Sequence, residues 1–139
     1  MWASSICMIS SGKESFEILI MNKKVEEYNA YRQQMNERLL KAGNNKIIKR
    51  IFNLDTNTYT DGALDVRTKE LLGLVASMVL RCDDCIKYHL QQCCRLGVTS
   101  EEIMEVFGVA NLVGGTIVIP HTRRALEFWE ALQAENNGK

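Results

Sequence analysis

The stretch RCDDCIKYH, Arg81 to His89, holds two cysteines three positions apart and a histidine four positions after the second. A close cysteine pair does one of three things. It cycles between dithiol and disulfide, it holds a metal, or it packs as two inert thiols. On an α-helix of about 3.6 residues per turn, positions i, i+3 and i+7 share a face. Cys82, Cys85 and His89 then point the same way, and Cys85 and His89 are i,i+4 neighbours, close enough to exchange a proton directly or through one water. A helix starting near Cys82 also turns its positive end toward a thiolate. Arg81 adds to that effect, while Asp83 and Asp84 oppose it.

A carboxylate partner for the imidazole is available only if the chain folds back. Glu70 lies twelve residues before Cys82, roughly 18 Å away along one straight helix. If the chain turns at RCDD, Glu70 is eleven residues before Arg81 and His89 is eight after it. Two antiparallel helices would then leave them offset by only about 5 Å. That geometry allows a relay from Glu70 to His89 to a cysteine thiol. The plain alternative for Glu70 is an exposed helical residue in RTKELLG. The rival chemistry is zinc held by Cys82, Cys85, His89 and Glu70. Three of its ligands would come from one helix and one would be a carboxylate, so no metal is expected.

The elements that must position these groups are helical nearly throughout. Lys23 to Ala42 carries a narrow apolar stripe of Val25, Tyr28, Tyr31, Met35, Leu39 and Leu40, with Gly43 as its C-cap. KIIKRIFNL forms a short helix, and DTNTYTDGAL reads as a polar turn. Asp65 caps a helix from about Val66 to Leu80, and a second helix carries Cys85 through Leu96 to the C-cap Gly97. Thr99 and Glu102 form a capping box that opens the next helix, which ends at Gly114 and Gly115. TIVIPHTRRALEFWEALQ is also read as helix, with Pro120 in or near its first turn. The expected architecture is an all-α bundle of antiparallel helix hairpins.

The chain has 139 residues and a formal net charge of zero. That fits a single domain with a real core and no global pull toward nucleic acid or an anionic membrane. Its longest apolar run, LLGLVASMVL, is too short to span a bilayer. The cysteines number five, an odd count, and four of them cluster tightly at 82, 85, 93 and 94, with Cys7 apart. This argues against a secreted disulfide scaffold and for a reducing cytoplasm. Cys93 continues the stripe of Cys82, Cys85 and His89; it reads as a small core residue or a secondary resolving thiol. His121, beside Pro120, either approaches the dithiol or an intersubunit contact, or simply satisfies local hydrogen bonds. Tyr88, Phe128 and Trp129 read as packing or subunit contacts.

Glu70, eleven residues, Cys82, two residues, Cys85, three residues, His89: this spacing resembles the alkylhydroperoxidase D-like group of the carboxymuconolactone decarboxylase superfamily. LGVTSEEIMEV and VGGTIVIPHTRRALEFW look like that family's continuation, and the likeness covers about Leu64 to Leu132. The resemblance implies an all-α fold assembled as trimers or hexamers. It also implies thiol-dependent peroxidase or disulfide reductase chemistry without a cofactor, supplied by an external dithiol. The substrate would be a small hydroperoxide or a partner protein's disulfide. By position, Cys82 and Cys85 would be the redox pair, with Glu70 and His89 relaying protons. The best-studied branch has a further histidine just before the second cysteine, where this chain has Asp84. A decarboxylase-like lyase and a non-enzymatic oligomeric binding protein are the alternatives.

Residues 1–20 lack a signal peptide's basic region and read either as a short ordered arm or as an extension upstream of the true start, ahead of a single domain over 21–139 that opens on MNKKVEEYNAYRQQMNERLL like an ordinary start. Met21 as the biological start predicts an intact mass beginning there in the natively expressed protein, and a full-length mass removes the idea.

Overall fold

A computed structural model of the protein describes residues 7–42 and 45–137. Six α-helices follow one another: α1 (Cys7–Lys41), α2 (Lys46–Thr58), α3 (Val66–Val79), α4 (Asp83–Arg95), α5 (Ser100–Gly114) and α6 (Ile119–Asn137). A 3-10 turn, Thr116–Val118, leads into α6, and there is no strand among the described residues. The all-α expectation holds.

Local chemistry explains most boundaries. Asp65 accepts the Thr68 N–H at 2.7 Å and starts α3. At α5 the capping box is complete: Thr99 Oγ1 accepts the Glu102 N–H, and the Glu102 carboxylate accepts the Thr99 N–H. Pro120 sits in the first turn of α6, where its missing N–H is harmless. Gly43, the expected C-cap of α1, lies outside the described residues.

α3 and α4 end in the same hydrogen-bonded motif with different residues. Cys82 N–H bonds Ser77 O and Arg81 N–H bonds Met78 O; Val98 N–H bonds Cys93 O and Gly97 N–H bonds Cys94 O. In both, the residue after the cap is left-handed, at φ 71° for Gly97 and φ 61° for Arg81. Glycine adopts this region freely, whereas a side-chain-bearing residue does so at about 1–2 kcal/mol. The motif at Arg81 reverses the chain and lays α4 antiparallel against α3.

Around this hairpin the core closes. α5 packs on α3, and α6 packs on both α4 and α1. Leu74, Met78, Ile86, Leu90, Ile103 and Phe107 are among its fully buried side chains. From α1, Val25 and Tyr28 join them, with Tyr28 edge-on to Phe128 at 5.5 Å. Phe128 and Trp129 are core residues, and Trp129 Nε1 donates to Ser100 Oγ at 2.9 Å. The stripe on α1 is buried only in its first half, since Tyr31 and Leu39 are exposed.

Two boundaries differ from the sequence expectation. α1 begins at Cys7 among the described residues and runs through Met21 without a break. α2 continues through the polar DTNT run to Thr58. There Thr56 and Thr58 hydroxyls donate to Phe52 O and Leu54 O, and Asn57 donates to Asn53. These bonds one turn back satisfy inside the helix the side chains that would otherwise favour a turn. No residue of α2 is buried.

Gly97→Ala is expected to lower stability by about 1–2 kcal/mol, because no neighbour lies within 4 Å of its added Cβ and only the left-handed backbone opposes it. Urea unfolding of the two proteins measures it.

Candidate active site

The reversal at Arg81 puts the dithiol at the start of α4. Cys82 is not part of that helix, as the shared-face reading assumed. It is the N-cap, with an extended backbone at φ −94° and ψ 91°. This brings its sulfur back over the first turn, where the Cys85 N–H points at Sγ from 3.3 Å. Cys82 and Cys85 are joined as a disulfide with Cα atoms 5.3 Å apart, inside the usual range for such a bond. Cys85 is the more exposed of the two.

One turn further along α4, His89 is 7% exposed, and Glu70 of α3 beside it is 3% exposed. His89 Nδ1 lies 2.7 Å from Glu70 Oε2. A carboxylate only accepts, so the imidazole donates from Nδ1, which leaves Nε2 as the nitrogen for exchange.

Three residues fix this imidazole, of which the sequence reading singled out only Tyr88, as packing or a subunit contact. Tyr59 and Tyr88 flank it, with ring centroids at 5.3 and 5.4 Å. Burial and the nearby Glu70 carboxylate push both phenols above their ordinary range. Gly73 of α3 supplies the space: a Cβ there would meet His89 Cε1 at 2.5 Å and the Tyr59 hydroxyl at 2.7 Å. A lone glycine inside the apolar run of α3 was the available signal, since such a residue marks close approach.

Cys85, Tyr88 and His89 face a cavity of about 330 Å³. Its other walls are Tyr28, Tyr31, Arg32, Met35 and Asn36 from α1, with Asp55 from α2 and Asp84 from α4. Arg32 stacks over the Tyr88 ring at 4.3 Å. The Tyr28 hydroxyl donates to Asp84 O at 2.9 Å, and burial pushes its phenol up to about 12. Tyr28 and Arg32 are i,i+4 neighbours on α1, so one face of that long helix forms a wall of the site.

The two secondary residues part company. Cys93 is fully buried in the core, and burial pushes its thiol up to about 12, which removes it from the thiolate pool at neutral pH. His121 does approach the dithiol segment, with Nδ1 2.7 Å from Asp83 Oδ1. Among the described residues, no group of three or more His, Cys, Asp or Glu is placed to hold a metal ion. Nor is any helix of the described residues long and apolar enough to cross a membrane.

A family model, that of the carboxymuconolactone decarboxylase family, matches residues 46–128. The chain belongs to this family. The matched span includes Glu70, Cys82, Cys85, His89 and His121. Among solved structures, a carboxymuconolactone decarboxylase family protein from Thermotoga maritima is 51% identical with a TM-score of 0.75, covering 81% of this chain and 95% of that one. A second Thermotoga maritima structure gives 50% identity and a TM-score of 0.79, over 82% of this chain and 99% of its own. A family member from Legionella pneumophila, in its apo form, is 28% identical with a TM-score of 0.59, over 83% and 96% of the two chains.

An uncharacterized protein of the cox locus of Paracoccus denitrificans is 38% identical over 68 residues, 49% of this chain and 61% of its own. An uncharacterized protein of Cupriavidus necator is 32% identical over 74 residues, 53% of this chain and 66% of its own. The chain thus spans just under two thirds of the length of these curated relatives at most.

In this family member the Gly73→Ala methyl is expected to push His89 off Glu70 and to destabilise the fold by about 1–3 kcal/mol. Urea unfolding and the histidine ring signals in NMR spectra measure both effects.

Proposed function

We propose that the protein is a thiol-dependent peroxidase or disulfide reductase in which Cys82 and Cys85 cycle between dithiol and disulfide. One observation carries this reading: a closed Cys82–Cys85 pair lies beside a cavity whose wall also holds a buried, carboxylate-bonded histidine. A purely structural disulfide has no use for such a neighbour.

In the reaction, the exposed, cavity-lining Cys85 attacks as thiolate. With a hydroperoxide it takes the outer oxygen, the O–O bond breaks, and an alcohol leaves after picking up a proton. His89 takes the thiol proton and returns one to the leaving oxygen, while Glu70 holds the ring in orientation. Cys82 then attacks the Cys85 sulfenic acid, water departs, and the disulfide closes. An external dithiol reopens it by two exchanges, starting at Cys85. Cys82 is the first leaving group, and the Cys85 N–H at the positive end of α4 stabilises its thiolate. A partner protein's disulfide would enter by the same exchange chemistry. No bound cofactor has a step in this cycle.

The Thermotoga maritima relative is itself a candidate for an antioxidative response, which supports the peroxide branch. A reducing cytoplasm suits a pair that must be reopened after each turnover. Exposed apolar side chains on α1 and α2, among them Phe16, Leu19, Ile51 and Leu54, favour assembly into trimers or hexamers.

Peroxide consumption with dithiothreitol as reductant tests the proposal. Cys82→Ser and Cys85→Ser are each expected to abolish turnover. Glu70→Gln and His89→Ala are expected to slow it by about 10²–10⁴-fold. Activity indifferent to both cysteine changes would overturn the redox reading in favour of a lyase.

A further inference from the structure

The α4 turn that carries the dithiol also carries two carboxylates, Asp83 and Asp84, between the cysteines. A negative charge next to a thiol disfavours the thiolate. Left alone, Asp83 would oppose the reactivity that the positive end of α4 promotes.

It is not left alone. Two side chains of α6 reach across to it, one to each carboxylate oxygen. His121 Nδ1 lies 2.7 Å from Asp83 Oδ1, and Arg124 Nε donates to Asp83 Oδ2 at 2.9 Å. Arg124 Nη2 is also 3.0 Å from His121 Nδ1. A carboxylate only accepts, so the shorter contact to Asp83 places the imidazole proton on Nδ1, and the Arg124 Nη2 contact to that nitrogen is then no hydrogen bond. Both donors then converge on one acid group. Burial raises the Asp83 carboxyl, but the hydrogen bonds from His121 and Arg124 outweigh it and hold the group below the usual carboxylate range. Asp83 is thus a paired anion.

We infer that His121 and Arg124 act as a clamp that neutralises Asp83 and so raises the thiolate fraction of the reduced Cys82–Cys85 pair at neutral pH. They are positioning residues that work through Asp83 rather than by touching substrate. The inference rests on the redox reading of the cysteines and adds the charge control that reading lacks. The remaining charges around the pair come from every neighbouring element. On its own segment these are Arg81 and Asp84. Lys87 lies over the Tyr28 and Phe128 rings. Arg32 of α1 and Asp55 of α2 share the cavity, and Glu70 of α3 stands behind His89. Asp83 is the carboxylate among them that two α6 donors grip.

The test reads ionisation rather than turnover, so it can fail independently of the peroxidase assay. The full chain is reduced with dithiothreitol and desalted. Its alkylation by iodoacetamide is then followed across the pH range, with Cys82 and Cys85 quantified separately by peptide mass spectrometry. Arg124→Gln and His121→Asn are expected to raise the alkylation midpoint by about one pH unit, a tenfold loss of thiolate below it. Asp83→Asn is expected to lower the midpoint below the wild-type value, because it leaves the Arg124 cation uncompensated, and Arg124→Gln added to Asp83→Asn is expected to bring it back toward wild type. A merely structural tie between α4 and α6 would make Asp83→Asn behave like Arg124→Gln, and that result overturns the inference. So does a midpoint indifferent to Arg124→Gln. If the Arg124 or His121 variants fail to fold, Asp83→Asn alone decides: a midpoint below wild type supports the charge role, and one at or above it overturns the inference.

Discussion

A carboxylate and an imidazole buried together have little water to turn to, so each must satisfy the other. The contact between Glu70 and His89 is that kind of bond, and much of the molecule is arranged to permit it. The two residues sit on consecutive helices, so the chain must reverse between them. It does so at Arg81, in a left-handed conformation that most side chains avoid. The helices must also approach closely, and Gly73 provides the gap into which the imidazole and the Tyr59 hydroxyl fit. Removing a partner would leave an unpaired polar group in the core, which explains why packing, turn geometry and site chemistry converge on this hairpin.

The dithiol belongs to the same construction. The hydrogen bonds that stop α3 leave Cys82 outside α4, as its N-cap. This extended placement brings the two sulfurs within bonding distance and aims a backbone N–H at Cys82. The backbone strain at Arg81 and the disulfide beside it are therefore neighbouring results of one turn.

Around this centre the core and the cavity wall draw on the helices unequally, with Val25 and Tyr28 of α1 serving the core as well. The α3–α4 hairpin, α5 and α6 share a continuous core. The cavity wall opposite the dithiol is built from one face of α1 and from Asp55 of α2, a helix with no buried residue. The candidate site groups are thus fixed by the core, while α1 and α2 keep apolar side chains such as Phe16, Leu19, Ile51 and Leu54 exposed.

What the amino-acid order determined unaided is what depends on near neighbours. The caps at Asp65, Thr99 and Gly97 are local hydrogen-bonding choices, visible within four residues of the helix end. Helix geometry and one reversal made a site of Glu70, Cys82, Cys85 and His89 possible, and the resemblance of their spacing to a known family singled it out. Tertiary structure decided the rest, because those contacts join segments with no periodic relation. Tyr59 reaches His89 from beyond α2, Arg32 covers Tyr88 from α1, and His121 and Arg124 meet Asp83 from α6. Chain order also could not show that Cys93 would lie in the dry core although it continues the reactive stripe. Helical spacing gives a residue's direction on its own helix; burial depends on what the other helices place in front of it.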